Sequence, residues 1–188
     1  LRTLVLFGRN TTTYKFALCH ALLKQKAKDA VAYDDLEEDF VSELVGHYQN
    51  NPHQFNMGST KLAQAIDLYL AGDQDGAAWD KLTGVAERNI FRFVFDAFHR
   101  VGRVTIDTPY RLFEHDNDTK RLILPDHTNS ILENSALVQE ISLENQSQWN
   151  VVEEAWRSKL TPNSVEYSES DNTFYSVRSS DRVGLRSA

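Results

Sequence analysis

A mainly α-helical fold, a multi-helix domain carrying one small β-hairpin, is what this sequence predicts, and three observations predict it. Apolar residues recur at helical spacing through most of residues 1–160. That spacing breaks at residues 110–124, where β-compatible residues flank a cluster of turn formers. Beyond residue 160 the aliphatic residues thin out, and Ser, Asn and acids take their place. With 188 residues the chain has room for one domain plus an appendage, and about two-thirds of its unfolded surface can be buried. Its 41% hydrophobic and 25% charged content excludes global disorder and a fibrous repeat.

The elements follow in order. Gly8-Arg9-Asn10 reads as a turn and Thr11 to Thr13 as hydroxyl caps. The helix they open places Tyr14, Ala17, Leu18, Ala21 and Leu22 on one core-facing side, with Lys15 and Lys24 elsewhere. Asp34 or Asp35 is expected to cap a second helix with an apolar stripe of Leu36, Phe40, Val41, Leu44 and Tyr48. Its Glu37, Glu38 and Asp39 suit the positive helix end. Pro52 and Gly58 mark a loop, and Thr60 opens a third helix carrying Leu62, Ile66, Tyr69 and Leu70, which the run Gly72 to Gly76 ends.

The segment Ala77 to His99 is the most hydrophobic in the chain and is expected to be one central helix, buried on more than one face. After Gly102 the pattern changes. Tyr110 to Glu114 and Lys120 to Leu124 flank His115-Asp116-Asn117-Asp118-Thr119, the composition of a hairpin. Thr128 and Ser142 are expected to cap two later helices, the second carrying Trp149, Val152 and Trp156 at helical spacing. Residues 1–160 thus form the helical domain, and 161–188 reads as a linker beginning near Pro162.

The single cysteine, Cys19, cannot form an internal disulfide and lies in an apolar pattern, so a reduced buried thiol and a cytoplasmic setting are expected. No apolar run approaches the roughly 20 residues of a membrane helix, so no membrane partner is expected. The chain does not open on Met, from which a portion of a longer protein is expected. A net charge of −7 excludes a surface that is one continuous nucleic-acid footprint, while leaving local basic patches.

Several constellations invite a chemical reading. Asp126-His127 could supply a metal ligand and a general base for phosphodiester hydrolysis, but no histidine follows to complete a site, and a turn with a helix cap after Pro125 is the plainer account. His47 and His53 suggest zinc, yet without paired Cys or a His-Glu-x-x-His helix they read as surface histidines. Cys19 and His20 are adjacent, so on a helix they diverge by about 100° and do not face each other as a nucleophile and its base. The run Gly8 to Thr13 lacks the Gly-Lys-Ser/Thr ending of a phosphate loop, although a helix N-terminus there can still meet an anion. Arg88, Arg92, Arg100 and Arg103 offer one cationic set; Arg178, Arg182 and Arg186 offer another, aligned if the tail is helical.

The segment Leu6-Phe7-Gly8-Arg9-Asn10-Thr11-Thr12-Thr13-Tyr14-Lys15-Phe16-Ala17-Leu18 resembles the N-terminal signature of a group of bacterial HNH endonucleases. Gln148 to Trp156 and the tail Arg178 to Ala188 are similar to the stretch that precedes the nuclease module in that group. The resemblance implies that a ββα-metal cutting module, with an Asp-His pair, an Asn and a later His around one divalent ion, follows this region. None of those ligands maps onto this chain, for which neither catalytic residues nor a metal site is expected. What it implies here is a region that positions DNA, a partner or a second subunit, in a restriction or phage-defence setting, with Arg178, Arg182, Arg186, Arg9 and Lys15 as DNA contacts. A free-standing protein-interaction or regulatory module is the alternative, and a small hydrolase built on Asp126 and His127 is a third.

Overall fold

In a computed structural model of the chain, the residues described are 12–52, 54, 60–88, 92–101, 104–160, 165–168, 173–176 and 183–187. The fold is mainly α with small antiparallel sheets, as the periodicity predicts. The first helix, α1 (Tyr14–Leu23), is buried on every side: Phe16, Ala17, Leu18, Cys19 and Ala21 are all at 0% exposure. A helix that is apolar all round belongs inside. It packs against α2 (Tyr33–Asn50), which buries Leu36, Phe40, Val41 and Leu44 in the expected stripe. Each such side chain taken from water contributes about 1.5–3 kcal/mol before ordering costs.

The central position expected for Ala77 to His99 is therefore taken by α1. The described residues of this segment are α4 (Gly76–Ala86), the π-helical Glu87 and Arg88, and α5 (Arg92–Phe98). Helix α4 buries only Leu82 and Ala86, because Asp80 and Lys81 hold one side in solvent. Helix α5 buries Val94, Phe95 and Phe98 but leaves Phe93 69% exposed. Between α2 and α4 lies α3 (Lys61–Ala71), capped as expected by Thr60, whose hydroxyl accepts the Ala63 N–H at 3.1 Å.

The caps expected elsewhere are reassigned. Thr13 makes no cap; its hydroxyl donates to Gln54 Oε1 at 2.8 Å. Helix α2 starts one residue before Asp34, because the Tyr33 N–H is drawn to the Lys120 carbonyl at 3.0 Å, leaving Asp34 and Asp35 in the first turn. Thr128 lies inside α6 (Asp126–Glu133) and donates to the Leu112 carbonyl at 2.7 Å. Ser142 lies inside the long α7 (Ser135–Arg157), whose cap is Asn134, accepting the Leu137 N–H at 3.1 Å.

The expected hairpin is present, but its first strand starts later than expected: Tyr110 lies in a 3₁₀ turn, and His115 and Asp116, expected in the turn, belong to the strand. Strands β4 (Glu114–Asp116) and β5 (Arg121–Ile123) pair antiparallel, with His115 opposite Leu122. Its turn is fixed by Asp116, whose carboxylate accepts the N–H groups of Asp118 at 2.9 Å and Thr119 at 3.2 Å. Strand β1 (Ala30–Ala32) adds to the other side of β5, so Val31 and Leu122 face one another in the core. A second ribbon, β2 (Arg100–Val101) with β3 (Val104–Thr105), brackets Gly102.

Within 161–188, read from composition as a linker, the described residues are strands. Strands β6 (Val165–Ser168), β7 (Thr173–Ser176) and β8 (Val183–Ser187) form an antiparallel sheet in that order. The Ser- and Asn-rich composition conceals Val165, Tyr167, Thr173, Phe174, Tyr175 and Val183, residue types that suit a pleated strand. Among the described residues no helix is long and apolar enough to cross a membrane.

Candidate functional site

Where α1, α2 and α7 meet, a buried polar cluster surrounds Trp149. The spacing of α7 builds one side: Asn145, Trp149, Val152 and Trp156 fall on its buried face, and Glu153 follows Trp149 by one helical turn. Helix α2 contributes His47, one turn past Leu44 on the same buried side. The loop after α2 contributes Gln54, and Thr13 enters from the residue before α1.

Gln54 is the hub. Its Oε1 accepts the Thr13 hydroxyl at 2.8 Å and the Trp149 Nε1–H at 2.9 Å. Its amide nitrogen donates to the Asn51 carbonyl at 2.8 Å and to Glu153 Oε1 at 2.6 Å. All four hydrogen-bonding positions of one amide are thereby used. Thr13, Gln54 and Trp149 are at 0% exposure and Glu153 at 5%, so each bond is made out of reach of water.

His47 completes the cluster. Its Nδ1–H donates to Glu153 Oε1 at 2.5 Å, and its ring stacks on Trp149 with centroids 3.6 Å apart and planes 3° from parallel. Donation from Nδ1 leaves Nε2 as an acceptor, which Gln146 Nε2 meets at 3.2 Å. Both ring nitrogens are thus engaged, so the imidazole has no free lone pair with which to act as a general base. The arrangement fastens three helices together.

A second group lies beside it. His20, whose ring meets Trp149 edge-on at 6.0 Å, sits 3.5 Å from Glu43, and Lys24 reaches the same carboxylate at 2.9 Å. The bond with His20, and then those with Lys24, hold the Glu43 carboxyl down to about 2 despite its burial.

The residues singled out in the sequence are scattered rather than gathered. Lys15 is 7% exposed and donates to the Arg100 carbonyl at 2.8 Å; burial, reinforced by the Arg100 charge, lowers its ammonium to about 8. It is a structural cation, away from the surface a phosphate would reach. Arg9, Arg178, Arg182, Arg103 and His53 lie outside the described residues. Arg186 lies in strand β8, opposite Phe174, so a helical alignment does not extend to it. Arg88 and Arg100 are exposed.

Cys19 is fully buried and its thiol is pushed up to about 12 by that burial, which removes it as a nucleophile. His127 donates Nε2–H to the Arg111 carbonyl at 2.7 Å; Asp126 is the first residue of α6, whose N-cap position is Pro125 with no side-chain cap bond, so the cap expected there is not made. His47, expected on the surface, is instead the stacked partner of Trp149; its place one turn after Leu44 was the signal. Gln54 carries no sequence signal, because nothing periodic marks a loop residue that folds back.

No family model matches the chain, and no curated protein or solved structure matches it.

Proposed function

We propose that this chain is the helical N-terminal region of an HNH-type metal-dependent DNA endonuclease, where it positions DNA, a partner or a second subunit in a cytoplasmic restriction or phage-defence setting. One observation supports the reading above the others. The segments that carry the likeness, Leu6 to Leu18 and Gln148 to Trp156, lie far apart in the sequence, and their described parts pack as one unit. Phe16 stacks on Trp149 at 5.8 Å, and Thr13 and Trp149 share Gln54 Oε1.

The divalent ion of such enzymes would activate water for phosphodiester cleavage. The described residues do not fit it: His127 commits Nε2 to a carbonyl, and His47 commits both nitrogens within the cluster. Cleavage is therefore assigned to the module that the resemblance places after this region. Arg9, Arg178, Arg182 and Arg186 remain the proposed DNA contacts; buried Lys15 does not.

The test is duplex binding followed by fluorescence anisotropy across a salt series. The affinity should fall steeply with salt, and changing Arg178, Arg182 and Arg186 together to Ala should flatten the logarithmic slope by about 2–3. Absence of DNA binding, or binding indifferent to salt, would overturn the reading in favour of a protein-interaction module.

A further inference from the structure

A groove of about 470 Å³ opens between α3 and α4, away from the Trp149 cluster. Its floor is apolar, with Tyr69, Leu82 and Val85, and Leu68 stands beside it at 76% exposure. Single exposed leucines are ordinary. Here the leucine borders an apolar groove whose rim carries both signs of charge, and that combination is not ordinary.

The rim charges are arranged along α4. Asp73 and Asp75 lie at the turn that opens the helix, and Lys81 lies further along it, about 9 Å past Asp75 at the rise of an α-helix. Midway between Asp75 and Lys81 stand the small residues Ala77 and Ala78. Among the described residues neither Asp73 nor Lys81 has an ion-pair partner, whereas Lys24, Lys28 and Lys120 are all paired.

We propose that this groove is the contact face for a second copy of the chain, related by a two-fold axis passing near Ala78. A two-fold operation reverses direction along α4, so Lys81 of each copy comes to lie over the acidic turn of the other. The small alanines at the axis let the two helices approach, and each Leu68 enters the groove of the opposite copy. A ligand of one charge sign would leave one end of this rim unmatched; a reversed copy sets Lys81 against the acidic turn at both ends. Two helices of 11 residues, each about 16 Å long, give a face at the small end of specific interfaces, below about 1,200 Å² in total. The dimer is accordingly weak and concentration-dependent. This proposal stands apart from the DNA reading.

Sedimentation velocity of the chain from micromolar to near-millimolar concentration tests it. A monomer–dimer equilibrium is expected, with Leu68→Glu weakening it at least about tenfold while leaving the circular dichroism and the thermal midpoint unchanged. Lys81→Glu and Asp73→Lys should each weaken self-association, and mixing the two variants should restore a heterodimer. Asp75 is left intact because it caps α4 through the Ala78 N–H. A chain that stays monomeric throughout, or a dimer indifferent to Leu68→Glu, overturns the face. Loss of the dimer in Leu68→Glu without rescue by the mixed pair overturns the two-fold arrangement.

Discussion

Gln54 holds more of this molecule together than its place in a loop suggests, because each of its four bonds has a different partner. Its truncation would leave the Trp149 indole N–H and the Thr13 hydroxyl buried without an acceptor, and Glu153 Oε1 with His47 as its remaining donor. Each orphaned group costs about 1–3 kcal/mol. We expect Gln54→Ala to lose about 3–5 kcal/mol in urea unfolding on that basis. A loss under about 1 kcal/mol would mean that the surrounding groups find other partners.

Two carboxylates give opposite pH signatures at the same scale. Glu43 is held below its ordinary 4.5, at about 2, so its contribution is present above pH 4.5 and is lost as pH falls towards 2. Lys24 is 47% exposed, and solvent screening leaves about 1 kcal/mol. Glu43→Gln should therefore destabilise at neutral pH and have a shrinking effect on acidification. Glu37 is raised to about 7, chiefly by burial and then by the charge of Glu87. The protonated form stabilises the fold fully below pH 4.5, and that contribution is lost as pH rises through 7. Glu37→Gln should raise Tm more at about pH 8 than at about pH 5. Equal shifts at both values would contradict the assignment.

At the scale of elements, the sequence was legible wherever one face of a helix was apolar and the other was not. The stripe of α2, the Thr60 cap of α3 and the turn around Asp116 all announced themselves, because each rests on contacts within a few residues. Helix boundaries set by distant partners did not. Tyr33 is pulled into helix α2 by a carbonyl in the β4–β5 turn, and Thr128 is drawn away from capping by Leu112. The cap of α7 offers a clean comparison. Asn134→Ala should cost about 1 kcal/mol in thermal or urea unfolding, while Ser142→Ala, inside the helix, should change little. The reverse order would return the helix start to the position that the sequence suggested. The hydrophobicity of residues 77–99 misled about position: summed over the segment it is high, but Asp80 and Lys81 keep one side of α4 in solvent.

The whole molecule is organised around α1, and its candidate site was only half legible. Trp149 and its helical spacing were evident, but His47 and Gln54 reach it from elements whose approach no local pattern encodes. Of the proposed DNA contacts in the tail, Arg186 lies in a sheet that the composition concealed. The central structural claim is that the two segments carrying the likeness form a single unit locked by Gln54. Amide hydrogen exchange of the chain carrying Gln54→Ala tests this most directly. Residues 14–23 of α1 and 146–157 of α7 should lose protection together and to a similar degree, while α3 and α4 keep theirs. Loss confined to one of the two segments, with the other protected as in the parent chain, would contradict the claim.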